Sequence, residues 1–557
     1  MPPADLALAT QQADPADTLQ RNHPLRSFLR RHRVPLLATL PVLPLYAVWW
    51  AFLATGGGDL AAQEAWAGFA ERHGDSAYNL FWYGGMHTAN YSLVSPYLMA
   101  ALGVRTITVA SGIAASWIAG VLVRRTGVRR PLGPALLASL ALWCNVASGR
   151  TTFALGVAFG LAAALHLVRD VRGARLVLAG AYAALATMAS PVAGLFLAVV
   201  GAGFLLSGRR HTASALVLTL PPAAVVGTTS LFFPFSGEQL MPASRIWPPV
   251  LLGLAITALA PRTWTVARWS GAVYAAGTVL AYLVPSPIGT NIERFAEYAA
   301  PVVLLTALLA QPSLRTPRTR PLRRTLLVAV LVFSVAWLGK KTADDLAVST
   351  TVPAWAAHTH GVVRALDGLG ADRSRVEVVP ARNHREATLL APHVPLARGW
   401  NRQLDMERAR LFYDGSFSAH TYRAWLDRWA VGFVVLPNGK PDGFAEEEAR
   451  LIRDSRTRPD WLLPVWHDAH WQVFRVRDAV PLVSAPGTVV RTSGAEVVLR
   501  VSRPGEVTVR IAYSPWLRSD GGCLSRAGEF TRLTVPAPGE YRISSEYGPS
   551  PAPPARC

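Results

Sequence analysis

Residues 33–60 read RVPLLATLPVLPLYAVWWAFLATGGGDL: one arginine, a long uncharged apolar run, three glycines and an aspartate. A run of about 20 apolar residues suffices to cross a bilayer. The glycines at its end free the backbone to turn sharply and hold Asp59 close to the membrane surface. Upstream, Arg21, Arg26, Arg30, Arg31 and Arg33 form a basic leader, but no A-x-A cleavage site precedes Gly56 and many more apolar runs follow. The segment 35–55 therefore reads as a retained signal anchor.

Ten further apolar segments follow, near 104–123, 132–147, 151–168, 174–190, 191–207, 212–233, 247–260, 268–285, 297–311 and 325–339. Several are shorter than the ~20 residues needed to cross unaided, so their ends are soft. Arginines sort the connections. One set of tails and loops carries the leader, Arg124, Arg125, Arg129, Arg130, Arg169, Arg172, Arg175, Arg209, Arg210, Arg262, Arg268, Arg315, Arg318, Arg320, Arg323 and Arg324; the alternate set holds Arg72, Arg105, Arg150, Arg245 and Arg294. That bias of 21 against 5 places the N-terminus in the cytoplasm, and an odd number of crossings then places residues from 340 onward outside. A domain there has no access to ATP, nucleotide sugars or nucleic acid.

Composition agrees. The 557 residues are 51% hydrophobic and 16% charged, with a mean hydropathy of +0.26, high apolar content for a soluble protein. The net charge of +20 sits mostly where anionic headgroups lie, so the partner it implies is membrane lipid and not nucleic acid. Residues 1–33 read as a disordered basic cytoplasmic tail, 34–339 as the membrane unit, and 56–103 as its first extracytoplasmic loop. In that loop 60–73 and 92–103 have the patterns of two interfacial helices, joined by the aromatic connector Phe81, Trp82 and Tyr83. From 340 to 480, short β-branched runs alternate with helical patterns at 406–412, 419–429 and 444–453, the signature of an α/β domain. From 481 to 549 the reading is all strand, a small β-sandwich, and 550–557 is a Pro-rich tail. The fold class is thus a polytopic α-helical membrane protein of about 11 transmembrane helices, with an extracytoplasmic α/β domain followed by a β-sandwich. No internal repeat or inverted half stands out.

Asp59 is the carboxylate best placed for chemistry at the surface, with Glu64 and Asp75 sharing its loop. Its bland alternative is to cap the helix beginning near Leu60. His87 is a second candidate base by its ordinary pKa near ~6.5. Cys144 lies in an apolar segment, whereas Cys523 and Cys557 fall outside, where they could pair. His467 and His470 are three apart between strands, a spacing that does not put two metal ligands on one face, and no Cys/His zinc spacing occurs. No GxxxxGK[ST], GxSxG or HExxH stands in a usable context.

Short strings carry a resemblance: Gly58-Asp59-Leu60, Trp82-Tyr83-Gly84-Gly85, Tyr91-Ser92 with Ser95-Pro96, Gly149-Arg150-Thr151-Thr152-Phe153, Ser190-Pro191-Val192-Ala193-Gly194, Asn291 to Arg294, and in the tail Gly399-Trp400 and Trp471. With the layout, they resemble the membrane glycosyltransferases of fold class C, which take sugars from polyprenyl-phosphate carriers, and among these actinobacterial members. The resemblance implies that Asp59 is the general base that deprotonates an acceptor hydroxyl, with inversion at the anomeric carbon. It implies a polyprenyl-phosphate-linked sugar as donor and a cell-envelope glycan or lipid as acceptor, on the outer face of the plasma membrane. The departing phosphate calls for a guanidinium, first Arg294, then Arg105 and Arg150. Trp82, Tyr83, His87, Asn90, Tyr91 and Glu64 are the expected sugar and acceptor contacts. No acidic neighbour stands beside Asp59; no metal ligand or cofactor is assigned, although room is left for a divalent cation. The alternative reading is a transporter or flippase for a lipid-linked glycan or another solute, which calls for charged or broken helices at the midplane.

Overall fold

The structure, a computed structural model, describes residues 24–168, 173–310 and 320–547. Arg169, Arg172, Arg315, Arg318, Cys557 and the Pro-rich tail lie outside the described residues, as does the tail before Pro24. Residues expected in an unstructured tail form a helix at Pro24–Arg31, where proline stands at the first position.

Every apolar segment read from the sequence is helical. Among the described residues, four helices are long and apolar enough to cross a membrane: Arg33–Leu53, Val104–Arg125, Arg209–Phe232 and Pro321–Ser349. Five shorter apolar helices accompany them, Leu132–Ala147, Thr151–Leu167, Ala174–Ala189, Pro191–Leu206 and Ala243–Leu259. At ~1.5 Å per residue a 16-residue helix is about 24 Å long, short of a ~30 Å hydrocarbon layer. Thr265–Leu283 and Glu293–Leu309 complete the bundle. Small residues set its interior. A Cβ at Gly253 would come within 2.8 Å of the Gly271 carbonyl, and one at Gly271 within 2.7 Å of Gly253, so two helix backbones touch there. Phe52, Val177, Leu231 and Leu283 point outward and are exposed, a surface suited to lipid and costly in water.

The last apolar segment departs from expectation. It does not stop at Gly339 but runs as one helix from Arg320 to Ser349, because Lys340 to Leu346 keep helical spacing while turning polar. The first ten residues assigned to the α/β domain thus belong to the bundle.

Four strands form the α/β sheet in the order Arg375–Val378, Val431–Pro437, Trp471–Val476, Leu462–His467. The first pair is parallel and the rest antiparallel. Val431–Pro437 is buried throughout, as a central strand covered on both faces must be. The expected 406–412 helix lies earlier, at Arg402–Arg408, where the Asn401 side chain caps it by accepting from Leu404 N–H. The sandwich packs a four-stranded sheet on a three-stranded one. It includes Leu517–Ser519 and Cys523–Ala527, strands that the sequence pattern did not reveal.

The 56–103 loop joins these parts. Its helices are Asp59–Arg72 and Ser95–Leu102. Between them the Phe81 carbonyl accepts from Leu396 N–H (2.7 Å), the Gly84 carbonyl from Ala512 N–H (2.7 Å), and the Tyr78 hydroxyl donates to the Ala512 carbonyl (3.0 Å). The sandwich also rests on the bundle, where Trp516 Nε1 donates to the Phe232 carbonyl (2.9 Å). Both C-terminal domains therefore sit at the bundle end that carries Asp59.

Candidate functional site

The site begins at the glycine turn. Gly56 and Gly58 have φ of +85° and +64°, and a Cβ at Gly57 would lie 2.6 Å from the Ser349 carbonyl, so the three glycines are required by conformation and by close approach. The next helix starts at Asp59 with Gly58 at the N-cap and no side-chain cap hydrogen bond, which overturns the capping alternative. The Asp59 carboxylate turns toward two guanidinium groups instead: Arg294 Nη2 donates to Oδ2 at 3.4 Å, and Arg150 Nε lies 3.9 Å from the same oxygen. Asp59 keeps 37% of its side chain exposed.

Around this pair lies a balanced charge cluster. Arg150, buried just before the Thr151–Leu167 helix, donates to Glu297 (2.5 Å) and Asp345 (3.1 Å). Lys341 donates to both Glu293 and Glu297, and Arg245 donates to Glu293 (2.8 Å). Asp59, Glu293, Glu297 and Asp345 thus face Arg150, Arg245, Arg294 and Lys341, four negative against four positive groups, the condition under which buried charge is tolerable. The two arginines beside Asp59 are unequal. Arg150 is shared by three carboxylates, whereas Arg294, lying 5.3 Å over the Phe153 ring, makes one hydrogen bond among the described residues. Most of its donors have no hydrogen-bond partner among the described residues.

The sequence candidates separate into two groups. Asp59, Arg150, Arg294 and Tyr91 come together: Tyr91 stacks on Trp66 (5.3 Å), accepts a hydrogen bond from Gln63, and has its phenol pushed up by burial and then by the Asp59 charge. Glu64 sits apart with Arg105 and Arg385. Burial raises its carboxyl and the two arginines oppose the rise, while Arg105 itself is exposed.

The remaining expected sugar contacts pack elsewhere. Trp82 is buried against the α/β domain and donates to the Ala387 carbonyl (3.3 Å). Tyr83 is fully buried and donates to the Asn401 carbonyl (3.1 Å). His87 lies between Tyr78, Phe233 and Ser514, where burial lowers its pKa to about 4 and removes the ordinary basicity that made it a candidate base. Asn90 Nδ2 reaches the Pro234 carbonyl at 3.5 Å. For Trp82, Tyr83 and His87 the physical reason is common: the connector is the seam onto which two domains dock, and aromatic rings fill it.

Several cluster members were not singled out from the sequence. Glu293 and Glu297 flank Arg294 without a motif of their own, and Lys341 and Asp345 fall in the 340–480 stretch that the sequence assigns to the α/β domain; their i, i+4 spacing beyond Gly339 is the signal that the helix continues. The four carboxylates are each engaged by arginine or lysine, so the set as it stands does not fit a divalent ion, and no group of three metal-ligating side chains occurs among the described residues. Cys523 is disulfide-bonded and Cys144 is a buried free thiol; the expected partner Cys557 lies outside the described residues. A lateral groove of about 650 Å³ between the Arg33–Leu53 and Val104–Arg125 helices is lined by Thr39, Ile113 and Trp117, not by the Asp59 cluster.

Comparison with known proteins adds the following. Residues 484–521, within the sandwich, match a family described as Domain of unknown function (DUF8823). No curated protein matches the chain. Among solved structures it is similar to the arabinofuranosyltransferase AftD from Mycobacteria, at 14% identity and a TM-score of 0.43 over 86% of this chain and 41% of that one. It is also similar to the Archaeoglobus fulgidus oligosaccharyltransferase tethered to an acceptor peptide, at 10% identity and a TM-score of 0.42 over 74% of this chain and 70% of that one. The chain thus spans about two fifths of the length of the mycobacterial structure.

Proposed function

We propose that this protein is a multi-pass plasma-membrane glycosyltransferase of about eleven crossings, N-terminus inside and C-terminal domains outside. It moves a sugar from a polyprenyl-phosphate donor to a cell-envelope glycan or lipid acceptor. The observation that carries the reading is the Asp59–Arg294 pair: a partly exposed carboxylate, aimed away from its own helix, beside a guanidinium with unused donors. The short strings that resemble those of fold-class-C transferases point the same way.

Asp59 takes the proton of the acceptor hydroxyl. The freed oxygen attacks the anomeric carbon from the face opposite the phosphate, the carbon–oxygen bond to the phosphate breaks, and the configuration inverts. Arg294 offers its free N–H groups to the leaving phosphate, where negative charge gathers. Arg150, already shared among three carboxylates, holds Asp59 in place and has little left for a phosphate. Tyr91 and Gln63 border the acceptor side. The charged groups gather at one end of the bundle, which suits surface chemistry better than the midplane site of a transporter.

The test is sugar transfer from a polyprenyl-phosphate donor by purified wild type and Asp59→Asn. The variant is expected to lose at least ~10²-fold in rate with its fold intact. Equal rates would remove the proposed base.

A further inference from the structure

The peptide groups at the base of Asp59 are held by the C-terminal domain. Gly58 N–H donates to the Asn383 carbonyl at 2.8 Å, and Trp400 Nε1 donates to the Gly58 carbonyl at 2.9 Å. One turn further, the Thr388 hydroxyl donates to the Ala61 carbonyl at 2.6 Å. Below the turn, Arg385 donates to Thr55 and to the Ser349 carbonyl, tying the end of the first long helix to the end of the last. The α/β domain therefore grips the glycine turn on both sides of Gly58.

Trp400 is itself fixed. Its ring stacks on His384 at 3.5 Å, and the Arg402 guanidinium lies over it at 5.0 Å. His384 stands between Glu386 (3.5 Å) and Asp442 (3.6 Å), and Asp442 is gripped by Arg402 through two hydrogen bonds of 2.8 and 2.9 Å. A rigid polar and aromatic chain thus runs from the domain interior to the residue before Asp59. The Asp59 side chain does not cap its helix, so the alignment of its carboxylate depends on the conformation of the preceding peptide.

Resting on the transferase reading of the site, we propose that Trp400 is a positioning residue, which acts through the Gly58 carbonyl to aim Asp59 at Arg294, and that the α/β domain is thereby a structural half of the reaction site. Among the described residues Trp400 makes no hydrogen bond to Asp59 or to the cluster; it sets the φ and ψ of the peptide from which Asp59 projects. A misplacement of about 1 Å in a reacting group lowers rates by up to ~10².

The full-length protein in detergent provides the test. Trp400→Phe keeps the ring and deletes the N–H donor; Thr388→Val is isosteric and deletes the hydroxyl; His467→Ala, exposed on the far edge of the same sheet, is the control. Backbone hydrogen exchange at 56–61 is expected to quicken about tenfold in the first two variants and not in the control, while the 431–437 strand keeps its protection. Sugar transfer is expected to fall roughly tenfold to a hundredfold in kcat with acceptor KM unchanged. Unchanged exchange at 56–61 in a folded variant overturns the proposal, and so does a change confined to KM, which would make Trp400 a substrate contact. Should Trp400→Phe lose protection at 431–437, Thr388→Val decides alone. Wild type without transfer activity would sink the transferase reading, while the exchange result would still judge the grip on Gly58.

Discussion

Arg150 and Arg294 approach the same carboxylate oxygen from two helices, yet their duties differ with the number of partners each already has. Replacing Arg150 by Met leaves buried Glu297 with Lys341 alone and takes the cation from the partly exposed Asp345, so stability is expected to fall, by less than the ~3–5 kcal/mol of a fully stranded buried charge. Arg294→Lys removes one long hydrogen bond and keeps the charge, so stability should hold while the affinity for a phosphate-bearing donor falls. Thermal unfolding in detergent, with donor KM measured beside it, checks both halves; a stability loss in Arg294→Lys equal to that of Arg150→Met would refute the division. At this scale Asp59 was legible because three glycines and the end of a long apolar run mark a turn at a membrane surface. Its orientation was not, because a residue after a glycine can cap a helix or project from it, and the grip on Gly58 comes from residues more than 300 positions away.

Elements were legible where one period dominates. Apolar helices and the central strand follow directly from pattern, whereas Cys523–Ala527 mixes Ser525 and Arg526 into a short run behind Gly521 and Gly522 and gives no clear alternation. The helix ending at Ser349 hid its last ten residues for the opposite reason: its period persists while its polarity changes. The segment around His384 belongs to neither type, since its φ of +54° and its ring contacts come from tertiary packing. Burial alone would lower the His384 pKa, but Asp442 and then Glu386 outweigh it and raise it above the ordinary value. A raised folded value means that the stabilisation is fully present below about pH 6.5 and is lost as pH rises through the folded pKa. Asp442 is shifted the other way, downward by His384 and Arg402 against its burial, so its share is lost only in strong acid, and Arg402 stays charged throughout. The melting temperature of wild type should therefore decline between pH 6 and 9, and His384→Asn should flatten that decline. An identical slope in the variant would show that some other group sets it.

Across the whole molecule, the Asp59 loop and both C-terminal domains share one end of the helix bundle, through Gly58 with Asn383 and Trp516 with Phe232. That arrangement requires the first and last long helices to present the same end to the same side of the membrane, Leu53 and Ser349 together. The sequence reached this parity by another route, the count of arginines in alternate connections, which uses no contact at all. The contacts fix which parts lie together; that they face outward is the proposal drawn from the charge bias. Lys440, exposed on the α/β domain, and Arg129, exposed at the opposite bundle end, offer a direct measurement. In intact cells, Lys440→Cys is expected to react with a membrane-impermeant maleimide above the background of the parent protein, and Arg129→Cys only after permeabilisation. The reverse pattern would put Asp59 in the cytosol beside soluble nucleotide sugars, and the argument for a lipid-carried donor would lose its ground, because that argument needs a carboxylate on the side where activated sugars arrive only on lipid.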